Sequence, residues 1–410
     1  MATVVCKFGG TSVATRERIA AVAERVADAA AGGDRLAVVV SARGDATDRL
    51  IEEAEHTVPR PRARELDMLM STGETASAAL VAMALSAHGP EAVALSGIQA
   101  GVVTDGVYGR GRIERVDPAR VRRELDAGRI PIVAGFQGLG PDGDMVTLGR
   151  GASDTTAVSL AAALRADRCE IYTDVEGVYT ADPRCVPQAH KLDAIGYGEM
   201  LEMAQLGAKV MQHRSVGIAQ RFRLPVVVRS SFVDSPGTSM MAAEAVEIES
   251  VALVRGVAHD TDVARITVRA VRDRPGLAHG IFQPLADHGI NIDVIVQNVS
   301  DAGATDISFT VSKADMAPAV DLVRPIAAEI GAGEVSADAS LGKVGIVGVG
   351  IQSTPGIAAR AFGALADAGI NILGITTSEI RITCLVAEAE VEHAARTLHT
   401  AFGLDSDAAQ

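Results

Sequence analysis

Residues 275–292 and 355–372 align at a constant offset of 80 without a gap, and eleven of the eighteen positions are identical. Pro275-Gly276, Ala278, Phe282, Leu285-Ala286-Asp287 and Gly289-Ile290-Asn291-Ile292 recur as Pro355-Gly356, Ala358, Phe362, Leu365-Ala366-Asp367 and Gly369-Ile370-Asn371-Ile372. Chance would give about one match, so this is an internal duplication, and any fold of the C-terminal part must build one unit twice. Each copy reads as strand, Pro-Gly turn, amphipathic helix, Gly-Ile-Asn-Ile strand, second strand and helix, the split βαβ order of a ferredoxin-like module. Two purely structural modules satisfy that pattern. So does a pair of small-ligand sites, because each Pro-Gly opens a helix N-terminus with Asn291 or Asn371 beside it.

The 410 residues amount to two or three ordinary domains, so the duplication leaves a large N-terminal domain to explain. There, short β-branched runs (Val4–Val5, Leu36–Val40, Ile130–Val133, Cys169–Thr173, Val226–Val228) alternate with alanine-rich stretches of helical spacing such as Arg16–Ala31 and Thr155–Ala166. This is the α/β pattern of a mostly parallel sheet with helices on both faces. The stretch 235–250, with Pro236-Gly237 and several small residues, reads as the linker between the two parts.

Ligands on such sheets bind beyond the carboxyl ends of the strands. Lys7-Phe8-Gly9-Gly10-Thr11-Ser12 stands there, directly behind the apolar run 3–6. Glycines let backbone N–H groups approach an anion, and the adjacent ammonium neutralises phosphoryl oxygens. The lysine precedes the glycines, so this is neither a Walker A loop nor a dinucleotide fingerprint. A tight Gly-Gly turn with Lys7 in solvent is the bland alternative. Thr173-Asp174 ends another strand at the same edge, and the polar run from there to Asp182-Pro183-Arg184 suits either a ligand loop or an ordinary strand-to-helix connection. Leu148-Gly149-Arg150-Gly151-Ala152-Ser153-Asp154 runs into a helix, with Arg150 suited to a carboxylate or phosphate, or else to solvent, and Ser153 or Asp154 suited to a cap. Ser71-Thr72-Gly73-Glu74 is expected to open a further alanine-rich helix, and Lys209 to reach a phosphate or coat a helix.

A net charge of -14 argues against nucleic acid or an anionic membrane as the main partner. Three per cent aromatic residues and no tryptophan leave little for stacking on bases. Cys6, Cys169, Cys185 and Cys384 form no CxxC and read as reduced core residues of a cytoplasmic protein. No apolar run reads as approaching the roughly 20 residues of a membrane span.

Taken together, the segments resemble one family, the aspartokinases: amino-acid kinases with tandem ACT domains. KFGGTSV at 7–13, VVSARGDATDRL at 39–50, STGE at 71–74, AGFQG at 134–138, TLGRGASDTTA at 147–157 and YTDVEGVYTADPR at 172–184 fall in the family's order, and LGAKV at 206–210, VQNVS at 296–300 and TSEIRI at 377–382 extend it. The resemblance implies an α/β fold: an amino-acid kinase αβα sandwich over 1–240, a linker and strand over 241–262, and ferredoxin-like βαββαβ ACT domains over 263–340 and 341–410. It implies ATP-dependent phosphorylation of the β-carboxylate of L-aspartate, the first step toward lysine, threonine and methionine, with Mg²⁺ bridging the ATP phosphates and few protein ligands to it. A carboxylate is ionised at neutral pH, so such a reaction needs alignment and charge neutralisation instead of a strong base.

By the same resemblance, Lys7 and Asp154 would be catalytic, and Ser41, Thr47, Glu74, Arg150 and Ser153 would hold aspartate, with Glu74 on its α-ammonium and Arg150 on a carboxylate. Lys7, Phe8, Gly9, Gly10, Ser12, Thr173, Asp174, Tyr179, Asp182, Arg184 and Lys209 would hold ATP. Lysine, threonine or both would bind between ACT domains of paired subunits, at Asp273, Arg274, Gly276, Ala278, Asn291, Asp293 and Gln297 in the first copy and Asn371, Ile372, Ser378 and Glu379 in the second. A homodimer or larger assembly follows. Several residues depart from the family pattern: Ala152 for a glycine, Thr75 for a long polar residue, Arg43 for methionine, and Thr354, Ala358 and Leu373 around the second copy. An amino-acid sensor with a degenerate kinase domain is the competing reading, and a kinase of glutamate or acetylglutamate a third.

Overall fold

The computed structural model describes residues 1–241, 254–297 and 303–405. The chain opens with β1 (Thr3–Phe8), a 3-10 turn over Gly10–Val13, α1 (Arg16–Ala31), β2 (Arg35–Val40), α2 (Ala46–Thr57) and α3 (Ala63–Ser86). β3 (Ala92–Leu95), β4 (Val102–Thr104), β5 (Ile113–Val116), α4 (Ala119–Asp126), β6 (Ile130–Ala134), β7 (Gln137–Leu139) and β8 (Met145–Thr147) follow. Then come α5 (Ser153–Leu164), β9 (Arg168–Thr173), β10 (Ala194–Gly196), α6 (Tyr197–Gln205), α7 (His213–Phe222), β11 (Val226–Ser230) and β12 (Thr238–Met241).

The large sheet has the order β10-β12-β11-β9-β1-β2-β6-β3, and all neighbours are parallel except β11 with β12. Its central strands are apolar on both faces because both are covered. Val5, Val39, Val133 and Ile171 face α5, α6 and α7, while Val4, Phe8, Val38 and Ile132 face α1 and α3. This is the αβα sandwich expected from the sequence. A small sheet, β5-β4-β7-β8, flanks it. α3 is long and apolar enough to cross a membrane by length and composition, which the sequence reading did not count. Its sequence carries Asp67 and Glu74 buried inside the fold, and its other face packs on the sheet.

The C-terminal part comprises β13 (Gly256–Arg272), α8 (Leu277–Asp287), β14 (Ile295–Gln297), β15 (Ala304–Val311), α9 (Lys313–Glu329), β16 (Val335–Val347), α10 (Ile357–Asp367), β17 (Gly374–Ser378), β18 (Arg381–Ala387) and α11 (Val391–Ala401). They form one antiparallel sheet, β14-β15-β13-β16-β18-β17. β13 and β16 run through both repeats. Gly256–Asp260 pair with Lys343–Val347, whereas the later half of β13 pairs with β15 and with Val335–Leu341. Each repeat thus borrows its fourth strand: the first half of β13 closes the second module, and the first half of β16 closes the first. Register shifts at Asp260/Val263 and Val263/Arg265 mark the changeover. The boundaries expected at 262/263 and 340/341 fall inside these continuous strands, and most of the expected linker, residues 242–253, lies outside the described residues. Gly-Ile-Asn-Ile is not a strand in either copy; the strands begin later, at Ile295 and Gly374.

Candidate active site

At the carboxyl end of β1, Lys7 Nζ lies 2.7 Å from Asp154 Oδ1, with both side chains about one-tenth exposed. Asp154 stands in the first turn of α5, and its other oxygen accepts the Gln212 N–H at 3.2 Å. The glycine turn beside Lys7 is pinned on both sides. Gly9 N–H donates to Tyr172 O at 3.2 Å, and Gly44 N–H donates to Gly10 O at 3.0 Å. A Cβ on Gly10 would meet Ala42 O at 2.7 Å, so only glycine lets these two loops touch. Arg43 donates from Nε and Nη2 to Val13 O and Ala14 O at 3.3 and 3.2 Å, fastening the far end of the turn. Ser12 is buried and shares a hydrogen bond with Ser231. Phe8 contributes no side chain to this surface: it is buried in the core and stacked on Tyr172 at 4.7 Å, because alternation along β1 turns it inward.

Glu74 does not open a helix, as expected from Ser71-Thr72-Gly73-Glu74, but sits in the middle of α3. It is buried, Oε1 accepts the Ala42 N–H at 3.1 Å, and Oε2 has no hydrogen-bond partner. Burial pushes its pKa from 4.5 up to about 7, against the opposing backbone hydrogen bond from Ala42. A buried carboxylate oxygen left without a partner is costly, and a cation beside the 41–44 loop would offset that cost. Gly73 makes the approach possible, since a Cβ there would lie 2.9 Å from the Ala42 Cβ. Ser41 follows β2 directly with its N–H on Phe8 O at 3.2 Å, and Thr47 is half-buried on α2. Ser153 is buried at the start of α5. Ala152 takes φ -78°, so the alanine imposes no backbone strain at this position. Arg150, expected to clamp a carboxylate, has a side chain 74% exposed and pairs with Asp48 at 2.7 Å.

A cavity of about 500 Å³ adjoins this edge and is lined by Asp174, Tyr179, Asp182, Arg184 and Lys209, five of the residues assigned to ATP. Thr173 ends β9 beside it and donates to Asp174 at 3.1 Å. Arg184 holds Asp182 below the usual carboxylate range through a paired contact at 2.8 Å. The opposite wall is Val257–Thr261 of β13, which nothing local in the sequence announces.

Of the residues assigned to an effector, Gln297 and Ser378 lie on edge strands of the C-terminal sheet, Ala278 lies on α8 and the others lie on the connections between elements. Asp273, Arg274, Gly276 and Asn291 are exposed and Ala278 is half-buried; Gln297 is exposed on edge strand β14. In the second copy Asn371 and Glu379 are exposed, Ile372 is half-buried, and Ser378 on edge strand β17 donates to Glu202 of α6 at 2.7 Å. Asp293 accepts from Lys343 at 2.9 Å, and the same ammonium donates to Gln205 O, the last residue of α6.

The amino acid kinase family model matches residues 2–230, and ACT domain models match 264–328 and 344–402. The chain is 49% identical over 411 residues to an aspartokinase of Mycolicibacterium smegmatis, spanning 99% of this chain and 97% of that one. It is similar to E. coli aspartokinase III in complex with aspartate and ADP (R-state), with a TM-score of 0.82 and 26% identity over 97% of this chain and 99% of that one. Against the T-state complex of E. coli aspartokinase III with lysine and aspartate, the TM-score is 0.69 at 27% identity, over the same shares. A match that runs the length of the chain in sequence, and again in backbone, singles out one family, and the chain belongs to the aspartokinases.

Proposed function

We propose that this chain transfers the γ-phosphoryl group of ATP to the β-carboxylate of L-aspartate, in the cytoplasm and under control of an amino acid bound to its ACT modules. The observation that carries the reading is the connected arrangement of Lys7, the Gly9-Gly10 turn, the 41–44 loop and the unpartnered oxygen of Glu74. It offers an anion end and a cation end on one strand edge. An aspartate carboxylate oxygen attacks the γ-phosphorus while the bond to the β,γ-bridging oxygen breaks, and ADP leaves with that electron pair. No proton has to be removed from the nucleophile. Lys7 would neutralise the transferring group and Asp154 would fix the ammonium's position. Glu74 would take the α-ammonium of aspartate. Arg150, on a glycine-flanked loop, would leave Asp48 for a substrate carboxylate.

The nucleotide would lie in the cavity of Asp174, Tyr179, Asp182, Arg184 and Lys209, with its phosphates toward Lys7. Mg²⁺ would supply further charge neutralisation from the phosphate oxygens. A lysine or threonine effector would sit near Asp293 and Gln297, and a second copy of the chain would cover the edge strands, which expose Ile295, Val296 and Ile375.

Trapping with hydroxylamine tests the reading. Aspartate hydroxamate should form only with ATP, aspartate and Mg²⁺ together; none at any Mg²⁺ level refutes it. Calorimetric binding of lysine or threonine without any turnover would instead favour the sensor. Arg150→Ala should raise the KM for aspartate at least ~10-fold, as loss of a bidentate carboxylate contact does.

A further inference from the structure

Thr180 stands in the middle of the nucleotide loop, between the cavity-lining Tyr179 and Asp182, yet its own side chain turns away from the cavity. Its hydroxyl lies 2.9 Å from His399 Nε2 of α11, and His399 Nδ1 lies 2.7 Å from Asp405 Oδ1. Thr180 and His399 are both buried, the histidine completely. The carboxylate at Nδ1 fixes the tautomer: Nδ1 carries the proton and Nε2 accepts. Thr180 therefore donates to His399, and its oxygen accepts the His190 N–H at 3.0 Å. The direction of each hydrogen bond from Asp405 Oδ1 through His399 to Thr180 is thereby determined.

The loop is also packed into the second ACT module itself. Ala181, Cys185 and Val186 belong to the same apolar cluster as Val344, Leu365 and Leu398. Thr180 O accepts from Val257 N–H at 2.7 Å, and Arg396 donates to Cys185 O at 3.2 Å. Thus the segment that carries Tyr179, Asp182 and Arg184 is held by β13 and α11 as well as by the kinase domain, where Val178 N–H donates to Thr238 at 2.8 Å and Thr180 N–H to His190 O at 2.8 Å.

We propose that Thr180, His399 and Asp405 form a positioning relay through which the second ACT module sets the nucleotide loop, so that a movement of α11 changes affinity for the nucleotide before it changes the aspartate end. This rests on the reading of the cavity as the ATP site. The relay residues touch no substrate; they act through Tyr179, Asp182 and Arg184.

The test uses the full-length protein and four variants: Thr180→Val, Thr180→Ser, Asp405→Ala and, as a cavity control, Arg184→Ala. Thr180→Val and Asp405→Ala should raise the KM for ATP and the calorimetric Kd for ADP about 10-fold, the scale of a lost buried hydrogen bond. The KM for aspartate at saturating ATP should move less than about twofold. Thr180→Ser, which keeps the hydroxyl, should restore nucleotide affinity. A merely structural contact would lower thermal stability without this split between the two substrates. Should Thr180→Val not fold, Asp405→Ala decides, since that side chain is one-third exposed and its loss opens no buried hole. Unchanged ADP affinity in the relay variants, with Arg184→Ala weakened, overturns the relay alone. Unchanged affinity in Arg184→Ala as well overturns the cavity assignment and the relay with it.

Discussion

Lys7 and Asp154 face each other at 2.7 Å, tying the end of β1 to the first turn of α5 before any substrate is present. An arriving phosphoryl group adds negative charge that the ammonium must then share, with the carboxylate holding it in line. Lys7→Ala is expected to cut turnover by at least ~10² in a hydroxamate assay, the usual cost of losing a charge-stabilising group. Asp154→Asn should lose less, because the amide can still accept from Gln212. Equal losses in the two variants would show that the pair acts only as a unit.

Glu74 gives the enzyme a pH dependence whose sign follows from its raised pKa. Below about 4.5 both folded and unfolded chains hold the proton, and the burial costs nothing. Between 4.5 and about 7 the unfolded chain ionises first, so stability falls as pH rises, reaching a cost of about 3 kcal/mol above pH 7. Glu74→Gln should therefore melt higher than the parent at about pH 8 and show little difference near pH 4. Function runs the other way. Only the carboxylate binds an ammonium, so the KM for aspartate should fall as pH rises through about 7 while the KM for ATP stays level.

Gly73→Ala tests how Glu74 reaches its loop. The new Cβ would press on Ala42 at 2.9 Å, and overpacking of this kind costs about 1–3 kcal/mol. The 41–44 loop must retreat, lengthening the Glu74 to Ala42 contact. The expected result is a lower melting temperature and a higher KM for aspartate, with nucleotide affinity little changed.

Lys343 joins the first ACT module to the kinase domain through Asp293 and the carbonyl of Gln205. An effector amine at Asp293 would compete for that carboxylate, leaving the ammonium to Asp260 and α6. Lys343→Met should shift the half-inhibitory concentration of lysine or threonine at least ~5-fold, the low end of ordinary coupling energies. Uninhibited activity should hold. Unaltered inhibition would remove this contact from the control mechanism.

Local patterns were legible wherever one segment explains itself. Arg16–Ala31 and Leu36–Val40 could be read from spacing, and Lys7-Phe8-Gly9-Gly10 from its place behind an apolar run. Glu74 was singled out, but its place in α3 was not: Ser71 and Thr72 look like caps, whereas in α3 their hydroxyls bond back to the carbonyls of Met68 and Leu69. Arg150 could be read from its loop as a ligand residue or a surface one; its side chain lies mostly exposed and pairs with Asp48, a contact no local pattern announces. Arg43 and His399 carried no signal, since their partners are backbone carbonyls 29 and 30 positions away or a threonine 219 positions away.

The sequence by itself determined the mostly parallel sheet, the glycine turn at its edge and the presence of two copies of one module, because periodicity, glycine and repetition act over a few neighbouring residues. Only the tertiary structure decided that the copies exchange their fourth strands, that β13 walls the cavity lined by Tyr179, Asp182 and Arg184 and that α11 holds the loop beside it. Strand pairing is a choice among backbone partners of equal hydrogen-bonding capacity, and packing across a whole chain settles it.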